Sequence, residues 1–113
     1  RLHEPAQRLV VVGADAFALA IARAGIEQGW EATLVRPGGP AEPPPVAAAY
    51  RTDRPAAALA ALAPDPWTAV AVATHDAGLD VEALAAALRS RAGYVGVLGS
   101  RRRLDERRAG LLA

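Results

Sequence analysis

The sequence has no cysteine, methionine or lysine among its 113 residues, and aromatic residues make up only 4% of it. Without cysteine the chain can form no disulfide, provides no thiolate nucleophile and binds no metal through sulfur. Its two histidines, His3 and His75, lie far apart in sequence and make a weak metal site. No apolar run approaches the roughly 18 to 20 residues that span a bilayer. We therefore expect a soluble domain with no membrane span and a cytoplasmic location, since no signal peptide is recognisable.

The net charge is only +1, but it is unevenly distributed. Residues 101–108 (RRRLDERR) contain five arginines and two acids, so this segment carries +3 and the rest of the chain carries −2. No aromatic residues are interleaved with these arginines, as they are in many nucleic-acid sites. The segment is therefore more typical of a solvated or partner-facing helix than of a site that binds nucleic acid, and we expect no nucleic-acid partner.

The length of the chain suits one domain with a single hydrophobic core. The sequence begins at Arg1 rather than at methionine, and its last residues, RAGLLA, have the pattern of an unfinished helix. We expect residues 1–113 to form one domain of a longer protein.

Short apolar runs alternate with stretches of helical pattern, which predicts an α/β domain with a parallel sheet covered on both faces. Right-handed crossovers favour a doubly wound, Rossmann-like sheet of about five strands in the order 3-2-1-4-5. The predicted strands cover residues 8–12, 32–35, 46–50, 68–73 and 94–98. The predicted helices cover residues 15–28 and 53–62, then a stretch from Asp80, and finally an arginine-rich stretch opened by Gly99 and Ser100.

Residue spacing also predicts which helical faces are buried and which residues cap the helices. Positions separated by three and four residues share one face of a helix. For the first helix this face comprises Phe17, Ala20, Ile21 and Ala24, and for the third it comprises Val81, Leu84, Ala85 and Leu88. Gly29 is expected to end the first helix. Thr52 or Asp53 is expected to cap the second helix, and Asp80 the third.

The turn after the first strand, GADAFA from Gly13 to Ala18, partly fits the dinucleotide pattern G-x-G-x-x-G/A. The first glycine and the last small residue match, but Asp15 replaces the glycine that approaches a pyrophosphate. A carboxylate would then stand at the positive end of a helix, where phosphate binds. Asp15 either caps the helix or belongs to a ligand site with an altered fingerprint.

Arg36 follows the second strand, at the position where an NAD site has an acid, and an arginine there could hold the 2′-phosphate of NADP. The alternative is a solvated arginine at the entrance to a proline-rich loop. Thr74, His75 and Asp76 follow the fourth strand, which neighbours the first at the switch point of the predicted order. His75 could transfer a proton or bind a ligand. Alternatively, Thr74 and Asp76 satisfy backbone groups of the turn and His75 fills space.

The fifth strand is followed by Gly99, Ser100 and Arg101. Glycine permits close approach of a ligand, and arginine can bind an anion through two hydrogen bonds. The alternative for Ser100 is a simple helix cap. The predicted crevice residues thus come from four strand ends: Gly13, Asp15, Arg36, Thr74, His75, Asp76, Gly99, Ser100 and Arg101.

The segments TAVAVATHDAGLDVEALAAALRS and YVGVLGSRRR resemble the C-terminal Rossmann domain of the XdhC/CoxI family, accessory or maturation factors of xanthine and carbon monoxide dehydrogenases. Family members show a THD-x-x-x-D segment, here Thr74-His75-Asp76 with Asp80, and a YxGxLGSRR segment, here beginning at Tyr94. The resemblance extends over nearly the whole chain. The sequence departs from the family at Asp15 and Ala16, where the family has Gly-His, and at Arg36, where it usually has an acid.

The resemblance implies a domain that helps to bind, protect and insert molybdenum cofactor into a molybdenum hydroxylase such as xanthine dehydrogenase. The family attaches this domain to an N-terminal cofactor-binding domain, which the present sequence lacks. We expect no independent catalysis, and NAD(P) or another nucleotide is a candidate ligand. Two alternatives stay open: an NADP-dependent oxidoreductase domain, and a non-catalytic protein-interaction module. A homodimer is compatible with each of these interpretations.

Overall fold

A computed structural model describes residues 7–13 and 15–98 as a five-stranded parallel sheet with helices on both faces. The strand order is β3-β2-β1-β4-β5, so the predicted order and the Rossmann-like class are confirmed. The strands are β1 (Arg8–Val12), β2 (Glu31–Val35), β3 (Ala49–Arg51), β4 (Thr68–Val72) and β5 (Tyr94–Val97). The helices are α1 (Ala16–Glu27), α2 (Pro55–Leu62) and α3 (Ala77–Arg89).

β1 lies at the centre of the sheet because its side chains are apolar on both faces. It pairs in parallel with β2 and β4, with Val12 opposite Val35 on one side and Val72 on the other. Val10, Val12, Val70 and Val72 face α2 and α3, whereas Leu9, Val11 and Ala71 face α1. This double burial is typical of parallel sheets. Because the three strands run parallel and in this register, the carboxyl ends of β1, β2 and β4 lie at one edge of the sheet.

The predicted buried faces of α1 and α3 are wrong. In α1 the buried residues are Ala18, Ala22 and Gly25, and Phe17 is 54% exposed. The sheet selects the smallest side chains because they allow closest approach: a Cβ atom at Gly25 would lie 2.5 Å from Cδ2 of Leu9. In α3 the buried residues are likewise offset from the predicted stripe, and comprise Asp80, Ala83 and Ala87, while Leu88 is 63% exposed.

The predicted cap of α2 is also wrong, because Arg54 is its N-cap and makes no side-chain capping bond. Asp53 instead pairs with Arg51, with Nη2 and Oδ2 2.8 Å apart. α3 supplies the missing acceptor: Oε2 of Glu82 accepts a hydrogen bond from the backbone N–H of Ala56 at 3.0 Å, and Glu82 also pairs with Arg54. An acid at a helix N-terminus stabilises the orphan N–H groups. Glu82 thus joins α2 to α3.

Arg8 secures the other end of α2. Its guanidinium donates to the carbonyl oxygens of Leu62 at 2.9 Å and Ala63 at 2.8 Å, the last acceptors of the helix. Ala63 itself has left-handed backbone angles, φ 48° and ψ 67°, which cost energy for any residue with a Cβ atom. β1 and α2 are therefore joined through the start of the strand.

β3 covers only three residues rather than the predicted 46–50, because it pairs with β2 from Thr33 to Val35 alone. The proline-rich segment before it forms no helix or strand, as predicted. The Tyr50 hydroxyl donates to the carbonyl oxygen of Pro40 at 2.8 Å and holds this loop against the sheet. Within residues 7–13 and 15–98, the longest apolar helix is too short to cross a bilayer.

Candidate functional site

A cavity of about 370 Å³ opens at the carboxyl edge of the sheet, between the ends of β1, β2 and β4. It lies at the switch point, where α/β folds bind ligands. Six predicted site residues line it, together with Pro37 and Leu79: Gly13, Asp15, Arg36, Thr74, His75 and Asp76. The other three predicted residues, Gly99, Ser100 and Arg101, lie outside the described residues. We refer to this cavity as the crevice.

Gly13 directly follows β1 and has φ +147°, a conformation that residues with a side chain rarely adopt. A Cβ atom here would lie 2.5 Å from the carbonyl oxygen of Ala73, which directly follows the adjacent β4. The Gly13 N–H donates to the carbonyl oxygen of Val35 at 2.9 Å. The packing of three strand ends therefore requires glycine at this position, before any ligand is considered.

Asp15 caps α1, as one of its two predicted roles requires. Its Oδ1 accepts a hydrogen bond from the backbone N–H of Ala18 at 2.8 Å, and its Oδ2 lies 2.5 Å from Nε2 of His75. The Ala18 N–H, followed by the hydrogen bond and charge of His75, lowers the pKa of Asp15 below the usual aspartate value. The carboxylate of the chain itself thus occupies the helix N-terminus that a phosphate would use.

His75 does not fill interior space, since 73% of its side chain is exposed. The pair with Asp15 joins the turn after β1 to the turn after β4, across 60 residues of sequence. A histidine held by a carboxylate has a fixed ring orientation and can exchange a proton with a bound group. The arrangement is a carboxylate–imidazole pair open to the crevice.

Thr74 and Asp76 satisfy backbone groups of their turn, which confirms the structural role considered for them. Asp76 is the N-cap of α3, and its Oδ1 accepts from the N–H of Leu79 at 2.9 Å. The Thr74 hydroxyl oxygen accepts from the N–H of Asp76 at 3.1 Å. The predicted cap at Asp80 is wrong, because Ala77 and Gly78 already belong to the helix.

Asp80 is the residue whose role the sequence pattern misassigned. It lies in the first turn of α3 with 0% exposure, directed at the end of β4. Its Oδ1 accepts from the backbone N–H of Thr74 at 3.0 Å and pairs with the Thr74 hydroxyl. The sequence does carry a signal for this buried role. Asp80 is a second acid four residues after the capping acid Asp76, and only one of the two can cap α3. The buried carboxylate fixes the turn that presents His75.

Arg36 stands at the end of β2, on the other side of the crevice. Its N–H donates to the carbonyl oxygen of Arg51 at 2.9 Å, which continues the sheet past the last paired residues. Its side chain lies against Gly39, where a Cβ atom would come within 2.5 Å of Cγ and Cδ. Arg36 and the Asp15–His75 pair therefore both line the crevice.

The charges of the crevice suit an organic ligand better than a metal ion. In the described part of the chain, no three acidic or histidine side chains converge as metal ligands. Asp15 and Asp76 offer acceptors for N–H groups, and Arg36 offers donors for an anionic group. The cavity volume lies at the lower end of the range of about 300 to 1,000 Å³ for small-molecule sites.

Comparisons with known proteins identify the family to which this domain belongs. The family model of the XdhC Rossmann domain matches residues 9–113. A solved structure described as a xanthine dehydrogenase from Bacillus halodurans is similar over 90% of this chain, with a TM-score of 0.75 and 24% identity, which supports the fold. The matched part is 31% of that protein, so the chain spans about a third of its length. A search of curated proteins found no match. The chain belongs to the XdhC Rossmann domain family.

Proposed function

We propose that this domain is part of an accessory factor for a molybdenum hydroxylase of the xanthine dehydrogenase type. In this proposal the factor assists binding and insertion of the molybdenum cofactor, and the crevice holds a pterin-phosphate or nucleotide-like ligand. The observation that carries the proposal is the crevice itself, where Asp15, Arg36 and His75 converge at the switch point. Membership of the XdhC Rossmann family and the xanthine dehydrogenase description of a structural neighbour support the choice of partner.

The residues of the crevice fit the chemistry of a pterin with a phosphate tail. A pterin ring presents N–H donors, for which the carboxylates of Asp15 and Asp76 are acceptors, and His75 can donate or accept. The phosphate would lie towards Arg36, because Asp15 already occupies the N-terminus of α1. The bound group would supply the molybdenum chemistry, and these residues would hold and orient it.

The test is a co-expression experiment with the full-length parent protein. A molybdenum hydroxylase would be produced with and without this factor, and its molybdenum content and activity would be measured. Asp15→Asn keeps an N-cap of the same shape but removes the charge, and His75→Ala removes the imidazole. Glu27→Gln, at the exposed end of α1, is the matched control because it removes an acid far from the crevice.

We expect the factor to raise both molybdenum content and activity, and we expect the two crevice variants, but not Glu27→Gln, to lose this effect. If the unaltered factor raised neither quantity, the accessory function would be wrong. If the factor worked and both crevice variants worked equally well, the crevice would not be the ligand site and the function would depend on another surface.

The NADP-dependent oxidoreductase alternative is favoured by one observation, the position of Arg36 at the end of β2. It is disfavoured by Asp15, whose carboxylate stands where the pyrophosphate would bind. Calorimetric titration with NADPH, NADH and CTP, on the unaltered domain and on Asp15→Gly, separates these cases. Tight binding with a preference for NADPH, lost in Arg36→Ala, would support the alternative. Binding only after Asp15→Gly would identify an inherited nucleotide site blocked by the carboxylate.

Three further expectations belong to this proposal. We propose a cytoplasmic location for this factor. We expect the factor to form a homodimer, which sedimentation of the purified protein would detect. The third possibility, a non-catalytic interaction module, would be favoured if partner binding persisted when the crevice was blocked.

A further inference from the structure

The polar side chains that line the crevice differ in how far the chain itself uses their hydrogen-bonding groups. Both carboxylate oxygens of Asp15 are engaged, Oδ1 by the Ala18 N–H and Oδ2 by Nε2 of His75. The Thr74 hydroxyl is engaged as well, through hydrogen bonds within its own turn and to α3. These groups therefore hold the crevice in shape and leave recognition of a ligand to others.

Two charged groups of the crevice stay available to a ligand. Asp76 caps α3 through Oδ1, which accepts from the Leu79 N–H at 2.9 Å, whereas its Oδ2 makes no hydrogen bond to any described residue. The Arg36 guanidinium likewise has no hydrogen-bond or ion-pair partner among residues 7–13 and 15–98. The crevice thus presents one open carboxylate oxygen and one open guanidinium.

The apolar lining of the crevice comes from Pro37 and Leu79. Pro37 directly follows Arg36, and Leu79 is the residue whose N–H the Asp76 carboxylate holds. Each open charged group therefore has an apolar residue as its neighbour. Apolar walls with a few placed polar groups suit a flat ring that forms hydrogen bonds along one edge and is apolar on its faces.

We propose that Asp76 selects the ring of the ligand by accepting the two adjacent N–H groups of a 2-amino-4-oxopyrimidine edge, while Arg36 binds a phosphate attached to that ring. Pterins and guanine both carry this edge. The inference rests on the proposed function, because it names the ring class and the selecting residue of the same crevice.

The choice of ring follows from the hydrogen-bonding capacity of a carboxylate, which can only accept. The 2-amino-4-oxopyrimidine edge presents a ring N–H and an exocyclic N–H side by side, so both carboxylate oxygens can accept in parallel. Oδ1 of Asp76 keeps the capacity for this, because an oxygen has two lone pairs and the Leu79 N–H uses one. Adenine and cytosine present a donor next to an acceptor, and the acceptor would be repelled by the carboxylate. Asp76 therefore favours pterin and guanine over adenine and cytosine.

Asp76→Asn tests this assignment, because asparagine is an equally good N-cap. Its amide oxygen can accept from the Leu79 N–H, and its NH₂ group then stands in place of Oδ2. That group donates, so the variant should prefer a ring with a 2-oxo group in place of the 2-amino group. Asp65→Asn is the matched control: Asp65 also accepts a backbone N–H within its own turn, from Trp67 at 2.9 Å, but it lies before β4, at the opposite edge of the sheet.

The full-length parent protein and its variants would be titrated calorimetrically with two pairs of probes. The first pair is the phosphate ester of 6-hydroxymethylpterin and that of its 2-oxo analogue, 6-hydroxymethyllumazine. The second pair is guanosine and inosine monophosphate, which differ only in the 2-amino group. Preference within the first pair alone would identify a pterin as the ligand, and preference within the second pair alone would identify a guanine nucleotide.

We expect the unaltered protein and Asp65→Asn to bind the 2-amino member about 10- to 100-fold more tightly, since one hydrogen bond to a charged group is gained. Asp76→Asn should reverse the preference within the pteridine pair and abolish it within the nucleotide pair. Arg36→Ala should weaken both members of a pair equally and leave the preference unchanged.

Equal affinity for both members of each pair, failure to bind any probe, or an unchanged preference in Asp76→Asn would overturn the inference. The titrations are independent of the co-expression assay. A factor that raised molybdenum content but showed no ring preference would leave the proposed function in place and refute the role of Asp76. A ring preference that Asp76→Asn reversed, in a factor without effect on molybdenum content, would support the role of Asp76 and refute the accessory function.

Discussion

Replacement of Asp80 by alanine is the most direct test of how the crevice is built. The carboxylate is buried at the start of α3 and holds two donors of Thr74, the backbone N–H and the hydroxyl. A hydrogen bond to a charged group contributes about 1.5 to 3 kcal/mol, and a buried donor left without an acceptor costs about 1 to 3 kcal/mol. We therefore expect Asp80→Ala to lower the free energy of unfolding by about 3 to 5 kcal/mol.

The measurement is urea denaturation at pH 7, followed by circular dichroism, with the slope m compared between variants. Asp80→Asn separates charge from geometry, because its amide oxygen can still accept from Thr74, and we expect a smaller loss of about 1 to 2 kcal/mol. Glu27→Ala, an exposed acid on α1, is the control and should change stability by less than about 0.5 kcal/mol.

A site readout distinguishes positioning from simple stability. Because Asp80 fixes Thr74, its loss should release the adjacent His75 from Asp15, and the NMR signals of the imidazole should move towards those of the Asp15→Ala variant. If Asp80→Ala lost less than about 1 kcal/mol and left the imidazole signals unchanged, then water or a rearranged turn replaces the carboxylate. The argument that Asp80 supports the crevice would then be wrong.

Four other perturbations test the remaining contacts. Asp15→Ala removes the cap of α1 and should lower the free energy of unfolding by about 1 kcal/mol. Because folding lowers the pKa of Asp15, the difference in stability between the two proteins should be complete above about pH 4 and should disappear as the pH falls through the pKa of Asp15 in the folded state. Urea denaturation across this pH range measures it. Glu82→Gln should cost about 0.5 to 1 kcal/mol at pH 7 and progressively less at acid pH, since the Ala56 N–H and then Arg54 lower the pKa of Glu82. Ala63→Gly should raise stability by about 1 kcal/mol, because it removes a left-handed alanine, and an unchanged melting temperature would contradict this. Gly13→Ala should destabilise by about 1 to 3 kcal/mol, because its Cβ would meet the Ala73 carbonyl oxygen, and thermal melting would measure the loss.

The strand order could be predicted from sequence because strongly apolar segments alternated with helical ones. β1 and β4 were located to within one residue at each end, since RLVVV and TAVAV are buried on both faces. Convergence of Gly13, Arg36 and His75 followed from that order alone, because strands 1, 2 and 4 end at the same edge. Sheet topology thus determined the site before any side-chain geometry was known.

The buried helical faces could not be predicted, because the helices are rich in alanine. In AFALAIARAGIE nearly every position is apolar, so bulky residues such as Phe17 and Ile21 suggested a stripe that packing does not use. The sheet instead buries the positions with the smallest side chains, Ala18, Ala22 and Gly25. Asp80 was misassigned for a related reason: an acid near the start of a helix has the pattern of a cap, and only the fold shows that it is directed inward.

The Asp15–His75 pair bears most directly on which ligands the crevice can accept. A phosphate at the first turn of α1 would approach the Asp15 carboxylate to roughly 4 Å, and two like charges at that distance repel by about 4 kcal/mol at an effective dielectric constant near 20. That repulsion corresponds to a loss of about a thousandfold in affinity. Neutralising Asp15 by a proton from solution would require a pH well below its already lowered pKa. A ligand that binds at neutral pH must therefore direct its anionic group towards Arg36 and present donors or neutral atoms to Asp15. A pterin with a phosphate tail meets this requirement, whereas a dinucleotide bound in the usual orientation does not.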